Sequence, residues 1–198
     1  MVRQKRSAQQ VRIIGGKYKG RKLRFTGDET LRPTLGRVRE TLFNWLRSDI
    51  QETYCLDAFA GSGILGFEAL SQGASQVVMV DKHVDTIRGL KSAAEELDIG
   101  SAAQIIRADV LDYLAKTEAA FDVIFLDPPF ARPKLLSQAL ELIAAKQPGC
   151  QYIYAEARTA QDITAAAQAH GFTVAKQTRA GDSVGILLTH IAAIRSQG

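Results

Sequence analysis

Leu56-Asp57-Ala58-Phe59-Ala60-Gly61-Ser62-Gly63-Ile64-Leu65-Gly66 is the stretch around which this chain is organised. Tyr54-Cys55-Leu56 is short and apolar, the pattern of a buried strand. Ile64 to Leu70 carries apolar residues at helical spacing. Strand, glycine turn and helix start together open a nucleotide-binding α/β unit. Glycines let the backbone turn sharply and approach a ligand closely, because no Cβ stands in the way. The helix start then offers N–H groups without intrahelical partners and the positive end of the helix dipole.

Two cofactor classes fit this stretch. Gly61-x-Gly63-x-x-Gly66 matches the dinucleotide fingerprint, and Asp81 follows at the spacing of a ribose contact. The same pattern holds S-adenosylmethionine (SAM) in methyltransferases. There the acidic residue ending the first strand, here Asp57, serves the amino-acid end of the cofactor. A glycine turn can also do no more than pack a helix on a strand. The choice lies further along the chain.

With 198 residues, 46% of them hydrophobic, the chain can build one α/β domain with a good core and a small appendage. No apolar run approaches the length of a membrane span. The basic N-terminus lacks the apolar run of a secretory signal. Cys55 and Cys150 fall in predicted buried strands with no Cys-x-x-Cys spacing, as expected of core thiols in the reducing cytoplasm. His83, His170 and His190 are scattered, and no metal site is expected. Charge is distributed unevenly. Residues 1–47 hold thirteen Lys and Arg against three Asp and Glu, a net +10. The remainder, with twelve against eighteen, carries −6. A polycationic end on an acidic domain points to nucleic acid or another polyanion.

Residues 1–10 are polar and basic without an apolar pattern and read as a flexible tail. Val11-Arg12-Ile13-Ile14 and Lys22-Leu23-Arg24-Phe25, punctuated by Gly15-Gly16 and Gly20, predict a basic hairpin. Tyr18, among Lys17, Lys19 and Arg21, is an aromatic suited to stack on a base while the cations hold phosphates. A helix is expected from about Leu35 to Ser48 with Thr34 as its N-cap. Its Leu35, Val38, Leu42, Trp45 and Leu46 share one face, Trp45 as a core anchor. From Tyr54 onward the elements alternate. Strands are predicted at 53–58, 76–81, 103–108, 121–127, 150–156, 171–177 and 184–190. Helices are predicted near 63–72, 84–97, 110–117, 133–146 and 160–169. Alternation implies a parallel sheet covered on both faces. The last two strands, joined only by the turn Arg179-Ala180-Gly181-Asp182, imply an antiparallel last strand. The expected fold is therefore α/β, Rossmann-like, with a seven-stranded mostly parallel sheet. That ending suits a SAM-dependent methyltransferase and differs from a six-stranded NAD domain. The organisation follows: tail 1–10, basic hairpin and helix 11–50, methyltransferase domain 51–198.

Ile124-Phe125-Leu126-Asp127-Pro128-Pro129-Phe130 decides between the cofactors. In an open α/β sheet, ligands bind outside the carboxyl ends of the strands, which brings Asp127 beside the glycine turn. Two prolines stiffen the loop and remove two N–H donors. What remains are acceptors, the Asp127 carboxylate and the Pro128 carbonyl, suited to an exocyclic amino group with two N–H bonds. Such an amine is a poor nucleophile because its lone pair is conjugated with the ring. Two acceptors aimed at its hydrogens favour a pyramidal nitrogen, and Phe130 offers a flat surface for the base. Asp-Pro-Pro-Phe is the signature of amino-group methyltransferases, and an NAD enzyme has no need for it.

With Arg12-Ile-Ile-Gly-Gly-Lys-Tyr-Lys-Gly-Arg-Lys-Leu23, Leu31-Arg-Pro-Thr34, Arg37-Val-Arg-Glu-Thr-Leu-Phe-Asn-Trp-Leu46, Leu56-Asp-Ala-Phe-Ala-Gly-Ser-Gly63 and Asp127-Pro-Pro-Phe130, the chain resembles the RsmD family from about Val11 to His190. These are bacterial methyltransferases of the N2 amine of a guanine in small-subunit ribosomal RNA. The resemblance implies SAM as cofactor and ribosomal RNA or the ribosomal particle as partner, with a monomer expected. It implies that Asp57, Ala58, Phe59, Gly61 and Gly63 line the amino-acid half of the cofactor. Asp81 and Lys82 would then meet the ribose, and Asp109 and Val110 the adenine. Asp127, Pro128, Pro129 and Phe130 would hold the target base. Arg12, Lys17, Tyr18, Lys19, Arg21, Lys22, Arg32, Arg37 and Arg39 would face RNA. Two other classes stand beside this reading: a DNA or RNA adenine-N6 methyltransferase, and an inactive RNA-binding module on a methyltransferase fold.

Overall fold

The computed structural model describes residues 9–25, 33–129, 131–132 and 134–191. Strands β1 (Gln9–Arg12) and β2 (Lys22–Phe25) pair antiparallel, Gln9 opposite Phe25 and Arg12 opposite Lys22. Pairing with Phe25 draws Gln9 and Gln10 out of the expected tail and into the strand. Helix α1 runs Pro33–Trp45, earlier than the pattern implied, so Thr34 lies in its first turn. Proline suits that first position, because its fixed φ is helical and its missing N–H is one no helix bond uses.

The remaining elements are β3 (Tyr54–Asp57), α2 (Ile64–Gln72), β4 (Gln76–Asp81), α3 (Val84–Glu96), β5 (Ala103–Arg107), α4 (Val110–Lys116), β6 (Val123–Leu126), α5 (Lys134–Lys146), β7 (Tyr152–Ala157), α6 (Ala160–Ala169), β8 (Phe172–Ala180) and β9 (Ser183–His190). A short 3₁₀ turn, Gly100–Ala102, precedes β5. Local signals explain several boundaries. Asp109 caps α4 by accepting from Leu111 N–H at 3.0 Å. Thr159 Oγ1 caps α6 by accepting from Asp162 N–H at 3.2 Å. Gly73, at φ 121°, closes α2.

Seven strands form one sheet in the order β5-β4-β3-β6-β7-β9-β8. All neighbours are parallel except β9, which is antiparallel to both β7 and β8. The last strand thus inserts inside the edge instead of extending it. The expected four-residue turn contracts to Gly181-Asp182, since Ala180 and Ser183 are already paired.

Alternation along each strand separates two cores. Cys55, Val77, Met79, Val123, Phe125, Tyr154 and Leu187 face the layer of α1, α2 and α3. Leu56, Val78, Val80, Ile124, Leu126, Ile153 and Ile186 face α4, α5 and α6. Val11, Ile13 and Leu23 of the hairpin segment belong to the first core, as do Val38, Leu42, Phe43 and Leu46. Each such side chain contributes about 1.5–3 kcal/mol on burial. The hairpin and α1 are therefore built into one face of the sheet. Trp45 packs, half-buried, against that same core.

Candidate active site and nucleic-acid interface

Strands leave β3 toward one edge of the sheet and β6 toward the other, so the β3–β6 boundary is the topological switch point. Asp57 pairs in register with Phe125, and Ala58 N–H donates to the Phe125 carbonyl at 3.1 Å. The glycine loop and the Asp127 loop therefore leave adjacent strand ends.

The glycine loop is fastened from below and from the side. Asp57 is buried, and its Oδ2 accepts from Gly66 N–H at 3.0 Å, tying the strand end to the helix start. Gly63 N–H turns back to the Ala60 carbonyl at 2.6 Å, and Ala60 N–H reaches the Val80 carbonyl at 3.0 Å. Gly61 and Gly63 have φ of 48° and 74°, the left-handed region that disfavours any Cβ. A Cβ on Gly63 would also strike Leu90 and Phe67. Gly63 brings no capping side chain to α2, and of the first-turn N–H groups that of Gly66 goes to Asp57. Ala58 is buried and Phe59 half-buried against the second core.

Asp81, ending β4, accepts from Gly61 N–H on Oδ2 at 3.2 Å and from His83 N–H on Oδ1 at 2.7 Å. The exposed Lys82 follows, its carbonyl accepting from Arg107 Nε at 3.3 Å. Asp109 is exposed at the start of α4, and Val110 is buried beneath it. The predicted cofactor residues thus come from the ends of β3, β4 and β5, three adjacent strands. At the end of β6, Asp127 is half-buried, Pro128 buried and Pro129 exposed. The Pro129 carbonyl accepts from Arg132 N–H at 2.9 Å. Phe130 and Arg32 lie outside the described residues.

Next to Asp127 is a buried polar cluster that pattern reading missed. Tyr154 donates its hydroxyl to Glu156 Oε1 at 2.7 Å, and Ser183 donates to Glu156 Oε2 at 3.0 Å. Burial, then Glu156 and Asp127, push the Tyr154 hydroxyl pKa well above its ordinary value. The available signal was Tyr154 and Glu156 two apart in an otherwise apolar strand. A Cβ on Gly185 would crowd Val38 Cγ1 at 2.9 Å and strike the Tyr154 hydroxyl, so this glycine admits the ring.

Of the predicted RNA-facing cations, Arg12, Lys17, Lys19, Arg21, Lys22 and Arg37 are exposed. Arg21 donates to the Glu96 carbonyl on α3. Tyr18 departs from the expected free ring: it is half-buried against the first core, with Lys17 Nζ 5.0 Å from its centroid. Arg39 departs further. It is buried, its Nη2 donates to the Arg12 carbonyl at 2.8 Å, and its Nε lies 3.7 Å from Glu68 Oε2. Burial lowers its pKa, opposed by Glu68 and Glu156. The helix face that buries Val38 and Leu42 carries Arg39 inward to pair with a fully buried carboxylate. Glu68, in the middle of an otherwise apolar helix, was the sequence signal for that pair.

The sequence profile described as Conserved hypothetical protein 95 matches residues 11–188. "Ribosomal RNA small subunit methyltransferase D" of Haemophilus influenzae is 46% identical over 137 residues, covering 68% of this chain and 70% of that protein. The chain belongs to the RsmD family. Among solved structures, the putative methyltransferase yhhF from Escherichia coli superposes with TM-score 0.78 at 34% identity, covering 92% of this chain and 98% of that one. A more distant structure, SMU.776, was solved with bound S-adenosylhomocysteine (SAH). It matches with TM-score 0.68 at 15% identity over 85% of this chain and 53% of that one, a likeness of fold alone.

Proposed function

We propose that this chain transfers a methyl group from SAM to the exocyclic N2 amine of a guanine in small-subunit ribosomal RNA. The observation that carries the reading is the acceptor-only Asp127-Pro128-Pro129 loop leaving the strand next to the glycine loop. RsmD membership supports ribosomal RNA of the small subunit as substrate.

The residues fit the cofactor. Positive φ at Gly61 and Gly63, and an α2 start without a side-chain cap, form a cradle for close backbone approach. Asp57, Ala58, Phe59, Gly61 and Gly63 would hold its amino-acid half. Asp81 and Lys82 would hold the ribose, and Asp109 and Val110 the adenine. SAM supplies an electrophilic methyl group on a sulfonium sulfur.

The chain's own work is positioning. Asp127 and the Pro128 carbonyl accept hydrogen bonds from the two N–H groups of the target amine and turn its lone pair outward. Prolines keep that loop rigid and free of donors that would repel the amine. Phe130 stacks on the base. Arg12, Lys17, Lys19, Arg21, Lys22, Arg32 and Arg37 hold phosphates of the RNA or of the ribosomal particle. A monomer in the cytoplasm is sufficient for this chemistry. Thermal unfolding with SAM, SAH and NAD tests the cofactor assignment. SAM and SAH should each raise the midpoint; stabilisation by NAD alone overturns the reading.

A further inference from the structure

The segment joining β1 to β2 is fastened along α2 through buried polar groups. Glu68, with no exposed surface, accepts from Ile14 N–H on Oε2 at 3.0 Å and from Gly15 N–H on Oε1 at 2.8 Å. Gln72 Nε2 donates to that same Oε1 at 2.8 Å. The Ser71 hydroxyl accepts from Tyr18 N–H at 2.9 Å and donates to the Gly15 carbonyl at 2.5 Å. The Ser71 carbonyl accepts from Lys17 N–H at 2.7 Å. Gly16, at φ 71°, lies so close that a Cβ there would overlap that carbonyl. Arg39 closes the arrangement from α1 through the Arg12 carbonyl and the Glu68 carboxylate.

A simple packing contact would use apolar side chains, since burying a charge is costly unless its partners are all in place. Directional groups instead fix one registry. The helix they grip is the one whose start closes the glycine loop, through Gly66 N–H on Asp57. One rigid element thus carries the cradle at its first turn and the hairpin along its second half.

We propose that Glu68, Ser71 and Arg39 form a latch that holds the basic hairpin at a fixed offset from the methyl-transfer site, so that gripped RNA presents one nucleotide to Asp127. They are positioning residues, and the proposal rests on the reading of the hairpin as an RNA contact. A loosened latch leaves the hairpin's charge in place, and with it the RNA affinity. What it loses is register, which is read in the rate of transfer from bound RNA.

The test uses the full chain with small-subunit ribosomal RNA as probe. Three variants are compared with wild type: Glu68→Gln, Ser71→Ala, and a triple Lys17→Gln, Lys19→Gln, Lys22→Gln. In the two latch variants, SAM and RNA affinities should stay within about threefold, while single-turnover methylation at saturating RNA falls by about 10-fold to 10²-fold. Ser71→Ala, the milder change, decides the matter if Glu68→Gln fails to fold. A purely structural role lowers the melting temperature and leaves the rate of folded protein at wild type; that result, with RNA affinity lost in the triple variant, overturns the latch alone. Wild-type RNA affinity in the triple variant overturns the reading of the hairpin, and the latch with it.

Discussion

Replacing Asp127 by alanine removes an acceptor from the candidate base pocket and leaves the β6 ladder intact. Asp127→Ala is expected to fold, to bind SAM and to lose about 10²–10³ in transfer rate, the usual effect of deleting a preorganised polar contact. Asp127→Asn keeps an acceptor oxygen and should fall between the two. Single-turnover methylation, with SAM affinity measured in parallel, checks both; lost SAM binding would move Asp127 into the cofactor site. The thiols make a second prediction at this scale. Burial pushes Cys55 and Cys150 each up to about 12. Their folded pKa values lie above the unfolded ones, so above pH of about 9 the unfolded chain binds fewer protons than the native one. Stability is fully present below that pH and declines as pH rises toward 12. Alkylation at pH of about 8.5 should be slow in native protein and fast in urea. Both thiols were legible as core residues, although Cys150 lies just ahead of β7 and not within it. Arg39 was not legible as buried, because its charge matched its basic surroundings in sequence and only the helix phase turns it inward.

At the scale of elements, the β3–loop–α2 unit was the most readable part of the chain, because three independent signals agree there: an apolar run, closely spaced glycines and helical periodicity. Gly63→Ala tests it. The substitution forces a Cβ into a left-handed conformation and against Leu90 and Phe67, which costs about 1–2 kcal/mol for the backbone before any overlap. The variant should melt earlier and bind SAM at least about tenfold more weakly, since the cradle itself must shift; calorimetry with SAM and a melting curve measure the two effects. Unchanged SAM affinity would mean that the loop does not hold the cofactor. The order of the last two strands was less readable. Periodicity and turn residues reveal a hairpin but not which of its arms lies inside the sheet. Here β9 takes the inner place because Ile186, Leu187 and Leu188 are buried on both faces, whereas β8 exposes Val174, Ala175, Lys176 and Gln177.

Taken as a whole molecule, the chain joins a basic N-terminal face to an acidic α/β domain, and that asymmetry was visible from charge counting alone. The attachment was not, because it depends on Glu68 and Ser71 meeting residues more than fifty positions away. It alters how the face must be tested. Deleting residues 1–25 would strip Val11, Ile13 and Leu23 from a core and leave Glu68 without its two backbone N–H donors, so neutralising exposed lysines is the cleaner change. If about six cations meet single-stranded phosphates, the logarithm of RNA affinity should fall against the logarithm of salt with a slope near −4. The triple lysine variant should flatten that slope by about 2, and salt-independent binding would remove RNA from the hairpin. What defines this chemistry is the nitrogen that receives the methyl group. Small-subunit ribosomal RNA incubated with the chain and methyl-labelled SAM, then digested to nucleosides and weighed by mass spectrometry, tests it directly: label in N2-methylguanosine, absent with Asp127→Ala, is the predicted result, and label in N6-methyladenosine, or no transfer by a chain that binds both SAM and RNA, would contradict it.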